Sequence, residues 1–385
     1  QNNLPLQSIT FSGNDSLSNA ELSFQLVLQQ NSFFRSLLFW KGSHLFHQNI
    51  LTQDLQRLQF FYQSNGFLKT QISPNVILDS KKNVHLNINI SENQPVIVET
   101  VDFLLISPDS IVQKRAQLQV ARIKIDLQLK AGCRFSDRVL EHDEKLIEKT
   151  LADDGFPYAK MKTELLIAND KESVIVTFRI ETGPRTIFGK TSVSGNDRAK
   201  ENEILGQLDY KNGKIYSEEK LRKTQEQVFQ LGVFNYVTVR ALLQDSVGIA
   251  IPVEISVNEA PSSITKFGVG YGKEDKFRTF VEFRKNGFLG STRRLVTTIK
   301  YSDLEPYNLN VKWIKPAFLY PRASLTVNPF LRREKEPGFT VDRVGANITH
   351  QQKLATFTDG YINYSLEQAL EFIDDARRLP LLARL

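Results

Sequence analysis

The sequence predicts an α+β protein of repeated β-α-α-β-β units followed by an all-β transmembrane barrel. Three observations carry that expectation. A tetrapeptide recurs at long range, apolar helix faces repeat with the same offsets, and strict two-residue alternation replaces mixed periodicity after Pro261.

The tetrapeptide Ser12-Gly13-Asn14-Asp15 returns as Ser194-Gly195-Asn196-Asp197, 182 positions later. Half that interval is 91, which places a middle copy, without the Gly-Asn turn, at the strand-like run Val101 to Ile106. In the first unit Ser18 and Glu21 form a capping box ahead of Leu22 and Leu26, so a helix is expected there. A second helix follows. From Phe46, apolar residues fall at Leu51, Leu58 and Tyr62, and Gly66-Phe67 closes the segment. From Phe135 they fall at Leu140, Ile147 and Leu151, and Gly155-Phe156 closes it at the same spacing. Offsets of 5, 12 and 16 share one helical face, and a glycine just past the last apolar residue is a helix stop. Tyr216, Leu221 and Val228 repeat the first offsets, but Phe234 arrives three residues early, so the third of these helices is expected to be about one turn shorter.

Alternating strands end each unit. Val84, Leu86, Ile88 and Ile90 line one face in the first, Val174, Val176, Phe178 and Ile180 in the second, and Ile251, Val253, Ile255 and Val257 in the third. Glu92 leads to Pro95, Glu181 to Pro184 and Glu259 to Pro261, and a proline, which cannot donate a ladder hydrogen bond, ends the pairing. This order, in units of about 80 to 90 residues, with F-x-G-N at Phe11 to Asn14 and L-x-x-D…Y-x-x-x-G-F at Leu51 to Phe67, resembles the POTRA domain. The expected divisions are 1–95, 96–184 and 185–261, with Gly13, Asn14, Gly66, Gly155, Gly195 and Asn196 as the turns that mark the repeats.

Beyond Pro261, Phe267, Val269 and Tyr271 alternate with Gly268, Gly270 and Gly272, Leu309, Val311 and Trp313 with polar neighbours, and Ala323, Leu325 and Val327 likewise. Apolar-out, polar-in strands with aromatic ends are the barrel pattern, and a soluble β-sandwich writes it too. The run Asn286-Gly287-Phe288-Leu289-Gly290, followed by Arg293-Arg294-Leu295, looks like the first hairpin of the barrels in the BamA/TamA-type outer-membrane assembly factor superfamily. That resemblance implies a barrel of sixteen strands, whereas residues 262–385 have room for seven or eight. Nor does the family's late barrel-loop motif with its arginine occur. The second half of the barrel is therefore expected outside this chain, and Leu366 to Leu385 reads as a short amphipathic helix rather than a closing strand.

The resemblance also implies a function: assembly or insertion of outer-membrane proteins, or their translocation, without catalysis and without a cofactor. POTRA units in the periplasm would receive unfolded outer-membrane or secreted proteins, and the barrel would template their insertion through a lateral seam. Outer-membrane lipid and possible accessory assembly subunits are the other implied partners, at a bacterial outer membrane. Thr265, Lys266, Gly268, Gly270 and Gly272 are the candidate seam strand, since interior glycines weaken a strand. Glycine also lets a strand curve tightly against its neighbour, and both readings stay open. An interaction scaffold anchored at the outer membrane and a two-partner secretion pore are the alternative functions.

Composition removes other classes. The 385 residues are 41% apolar and 24% charged, an ordinary folded balance. Phe33 to Trp40, the longest candidate for a membrane helix, is eight residues long and broken by Arg35 and Ser36, against the roughly 20 that a spanning helix needs. Cys133 is the single cysteine, which excludes an intrachain disulfide. Gln1 as first residue is compatible with an exported mature protein. Residues 1–261 hold 29 Lys and Arg against 30 Asp and Glu, while residues 262–385 hold 20 against 13, so all the positive excess lies in the last third. With no RNA-binding aromatic motif and no Cys/His finger, that charge does not point to nucleic acid. Gly183 to Thr191 resembles a nucleotide-binding P-loop but has five residues between its glycines and runs into a strand pattern, so no nucleotide is expected. His44 and His47 have no nearby Cys, Asp or Glu to complete a metal site, and Gly268 to Gly272 lacks dinucleotide-fingerprint spacing.

Overall fold

The computed structural model describes residues 4–29, 45–108, 110–243, 248–290, 292–355 and 357–373, and the chain divides into two compact units, Gln1–Arg185 and Thr186–Leu385. Phe33 to Trp40 and His44 lie outside the described residues.

The first unit opens with β1 (Leu4–Ser12) and α1 (Asn19–Phe24), whose N-terminus carries the Ser18–Glu21 capping box. After β2 (Leu45–Phe46) come α2 (Gln48–Ser64), β3 (Gln71–Leu78) and β4 (Val84–Ser91). The sheet order is β2-β1-β4-β3, with β1 parallel to β4 and β3 antiparallel to it. The last strand therefore occupies the middle. Its inward residues Val84, Leu86, Ile88 and Ile90 meet Phe46, Leu51, Leu58 and Tyr62 in one buried cluster.

The second copy repeats this arrangement with β5 (Ile97–Ile106), α3 (Ser110–Asp126), α4 (Asp137–Asp153), β6 (Lys160–Ile167) and β7 (Ser173–Glu181), in sheet order β5-β7-β6. Val174, Val176, Phe178 and Ile180 are its buried row. Thr186–Leu385 opens with a third copy: β8 (Ile187–Ser194), α5 (Glu201–Leu205), α6 (Glu218–Gln230), β9 (Phe234–Ala241) and β10 (Ala250–Glu259), in order β8-β10-β9. At 13 residues α6 is one turn shorter than α2 and α4, which have 17 each. The P-loop-like run itself enters strand β8 at Ile187, before its second glycine, so a strand and not a helix follows the loop.

Seven antiparallel strands follow in a meander: β11 (Ser263–Gly272), β12 (Lys276–Asn286), β13 (Arg294–Tyr301), β14 (Tyr307–Pro316), β15 (Ala323–Glu336), β16 (Phe339–Ala355) and β17 (Thr358–Ile373). They form a partial barrel. Two expectations are corrected. Asn286 to Arg294 joins β12 to β13 and is the second hairpin; the first is the short charged turn before Lys276. Leu366 to Ile373 belongs to β17, not to a helix, and residues 374–385 lie outside the described residues. Apolar residues four apart suit both a helix and one face of a strand, and here the ladder with β16, including the Arg343–Glu367 ion pair, selects the strand.

Candidate functional site

The continuous register of the meander sorts its side chains into two faces. One row across the ladder runs Lys266, Glu282, Thr298, Asn310, Phe330, Gly345 and Glu367, and the adjacent row runs Phe267, Val281, Ile299, Leu309, Leu331, Val344 and Gln368. The pattern holds along the strands. Lys266, Arg278, Arg284, Arg294, Lys300, Lys312, Arg332 and Arg343 share the polar face with Glu282, Glu334, Glu367 and Glu371. Most of the strand lysines and arginines thus lie on the polar side of the sheet; Lys285, Lys315, Arg333 and Lys335 do not. Its opposite face carries Val269, Tyr271, Phe277, Phe283, Val311, Trp313, Val327, Ile348, Ile362 and Leu370, a band of apolar and aromatic groups suited to acyl chains.

Strand β11 is an edge of this sheet among the described residues. Its ten residues pair with β12 without a register shift, which leaves the alternate backbone N–H and C=O groups pointing away from β12. Thr265 shares the apolar face with Phe267, Val269 and Tyr271, three side chains each exposed by 74% or more. Lys266, Gly268, Gly270 and Gly272 share the polar face, where the Lys266 ammonium lies 3.6 Å from the Glu282 carboxylate. The glycines admit β12 closely. A Cβ on Gly268 would stand 2.4 Å from the Phe280 ring, and one on Gly270 2.9 Å from Arg278 Nε. Side chains of β12 therefore lie over the β11 backbone, the tight approach that the sequence left as one of two readings. A cleft of about 620 Å³ remains beside them, lined by Gly268, Gly270, Arg278, Phe280, Lys300 and Tyr301.

Two residues that the sequence did not single out as functional tie this sheet to the third repeat. Asn286 donates from its backbone N–H to the Ser262 carbonyl (2.9 Å) and from Nδ2 to the Pro261 carbonyl (2.8 Å). Arg294 reaches under the loop after α6, with Nη1 3.5 Å from the Gly232 carbonyl oxygen. Asn286 opens the Asn-Gly-Phe-Leu-Gly run and Arg294 follows it; the run's hairpin role was legible while its contact with the repeat was not.

Within the repeats, the marked turns are structural latches. Asn14 Nδ2 donates to the Leu17 carbonyl (2.8 Å), and Asn196 Nδ2 donates to the Ala199 carbonyl (3.0 Å). In the first and third repeats a glutamate just past or at the end of the central strand grips the same turn. Glu92 accepts the Ser16 N–H at 3.1 Å and the Tyr62 hydroxyl at 3.1 Å; Glu259 accepts the N–H groups of Arg198 and Ala199 at 2.8 and 2.7 Å. Burial pushes the Tyr62 phenol well above its ordinary value, helped by the Glu92 carboxylate. Gly66 and Gly155 close α2 and α4 with positive φ of 87° and 97°. The aspartate of L-x-x-D is a third device: Asp54, fully buried, accepts the N–H groups of Val27 and Leu28 and the Arg57 guanidinium. Asp143 does the same for Gln128 and Leu129, and Thr224 for Asp209.

Comparison with known proteins agrees with this geometry. The family described as POTRA, a surface antigen variable number repeat, matches residues 5–93 and 186–260, the two stretches that carry the Ser-Gly-Asn-Asp turn. The outer membrane protein assembly factor BamA of Neorickettsia risticii is 22% identical over 370 residues, which are 95% of this chain and 46% of that protein. BamA of Nitratidesulfovibrio vulgaris is 20% identical over 98% of this chain and 47% of its own length. This chain thus spans about half the length of the curated relatives it matches. Among solved structures, BamA from Haemophilus ducreyi lacking POTRA domains 1–3 superposes with a TM-score of 0.55 at 18% identity, covering 71% of this chain and 51% of that one.

Proposed function

Because the chain belongs to the BamA-type superfamily of POTRA-bearing proteins, we propose that it is the periplasmic arm and leading barrel strands of an outer-membrane protein assembly factor. The repeats stand in the periplasm and receive unfolded outer-membrane or secreted proteins. The sheet lies in the outer membrane, and β11 is the template edge of a lateral seam onto which an incoming strand adds.

One observation carries this reading: strand β11 sets Phe267, Val269 and Tyr271 on one face and only hydrogen at Gly268, Gly270 and Gly272 on the other, where Phe280 and Arg278 of β12 take up the space. In hydrocarbon each unsatisfied backbone group costs several kcal/mol, so a bare edge favours pairing with any strand that arrives. Gly268, Gly270 and Gly272 leave the polar face of β11 without side chains beyond Lys266, so its grip on a partner there is mainly main-chain and tolerant of sequence. Phe280 and Arg278 fill the vacated space from the β12 side, which keeps that pairing firm while the other edge exchanges. The substrate's own burial of lipid-facing side chains supplies the free energy, and no cofactor is required. Outer-membrane lipid is the second partner, and accessory subunits bind through the repeats.

A photoreactive residue at Lys266 in the full-length protein, in cells synthesising outer-membrane proteins, tests this directly. Adducts with immature barrel proteins are expected at positions 265–271 and not at Val311. Adducts confined to the repeats would leave an interaction scaffold as the function.

A further inference from the structure

The first helix of the second repeat, with 17 residues, is far longer than its counterparts, which have six and five. From the end of the first strand to the backbone N–H held by the clasp is 15 residues in the first repeat (Ser12 to Val27) and 15 in the third (Ser194 to Asp209). In the second it is 22, from Ile106 to Gln128. The core face of α3 buries Ala116, Val120 and Ile123.

The opposite face is written as a coiled-coil seam. Ile111, Leu118 and Ile125 recur at seven-residue steps and are 80%, 59% and 74% exposed, and Lys114 and Ala121 fall at the intervening heptad positions. Arg122 and Lys124 flank the row, and among the described residues neither Lys114 nor Arg122 has an ion-pair partner. A row this narrow suits the interdigitation of one helix with another, whereas a helix lying on a membrane surface needs a broad apolar face. The charges choose the partner. A second copy of α3 would set lysine and arginine against lysine and arginine, while Asp or Glu beside a partner's apolar row would pair with Lys114, Arg122 and Lys124.

We propose that this face of α3 docks an amphipathic helix of a partner protein, with apolar residues at heptad spacing and acidic residues flanking them. The site goes beyond the assembly function and does not depend on whether β11 templates insertion.

The test uses the full-length protein in detergent and a labelled synthetic peptide of three heptads with Leu at the seam and Glu at the flanks. The Glu peptide binds, more weakly as salt rises, and Leu118→Glu reduces its affinity at least tenfold without altering the far-ultraviolet circular dichroism. Arg122→Glu shifts preference from the Glu peptide toward its Lys counterpart. Equal binding of the two peptides to the native protein, or an affinity indifferent to Leu118→Glu, would overturn the proposal. So would a face that responds only to phosphatidylglycerol vesicles, or only to the protein's own concentration.

Discussion

Gly13 and Gly195 show how far a single residue constrains a repeat. Both hold positive φ, 78° and 79°, and a Cβ on either would lie 2.1 Å from a main-chain oxygen, that of Ile90 or Val257. Backbone cannot step aside as a side chain can. Gly195→Ala is expected to destabilise the third repeat by at least the roughly 1–3 kcal/mol of a strained backbone position, measured by denaturant unfolding monitored at the nearby Tyr210 and Tyr216. The glutamate beside that turn is the repeat's acid-sensitive element. Burial raises the Glu259 carboxyl, but the N–H groups of Ala199 and Arg198 and the Arg198 guanidinium outweigh burial and hold it below the usual carboxylate range. A depressed folded value means that the latch is at full strength above the unfolded carboxyl's pKa and is lost as pH falls through the folded one. Glu259→Gln should therefore weaken the repeat at neutral pH and flatten its stability profile on the acid side; an unchanged acid limb would exclude the latch. The sequence displayed Glu92 and Glu259 only as neighbours of closing prolines, because the turn N–H groups they accept lie 76 and 60 residues away.

At the scale of elements, strands were legible wherever one face was apolar and the other polar, since a strand's period of two puts alternate residues on opposite faces. Val311 sits on the apolar face of β14, paired with Thr297 of β13. Val311→Arg is expected to cost about 2–4 kcal/mol near a bilayer midplane, read as a lower unfolding midpoint in lipid, whereas the same change at Asn310 on the polar face should cost far less. Equal effects would refute the assignment of faces. The helices were legible for the same reason, from offsets that recur. What misled was β17, where apolar residues at Leu366 and Leu370 satisfy a helix as readily as a strand until the neighbour is known. The glycines of β11 were ambiguous in the same way. Only the cross-strand positions of Phe280 and Arg278 show what their missing side chains make room for.

For the whole molecule, we propose divisions near residues 95, 184 and 261, with the last one bridged by Asn286 and Arg294. The one at 184 is tied from the second repeat, where Arg185 donates to the Asp154 carbonyl at 2.9 Å and shares the Asp154 carboxylate with Arg115. Limited proteolysis should accordingly cut near Pro184 more readily in Arg185→Ala than in the native protein, while the junction at 261 stays protected. Cleavage at 261 first would count against the docking of the third repeat on the sheet. The sequence by itself determined the repeat order, the unit length and the two-faced character of the last third, because each follows from local periodicity and turn chemistry. Tertiary structure decided which side chains of β12 cover the glycines of β11, which buried side chains clasp which loops, and which charged residues of the last third share a face of the sheet. Those features depend on pairing between residues distant in the chain, and a period read along one strand says nothing about its neighbour.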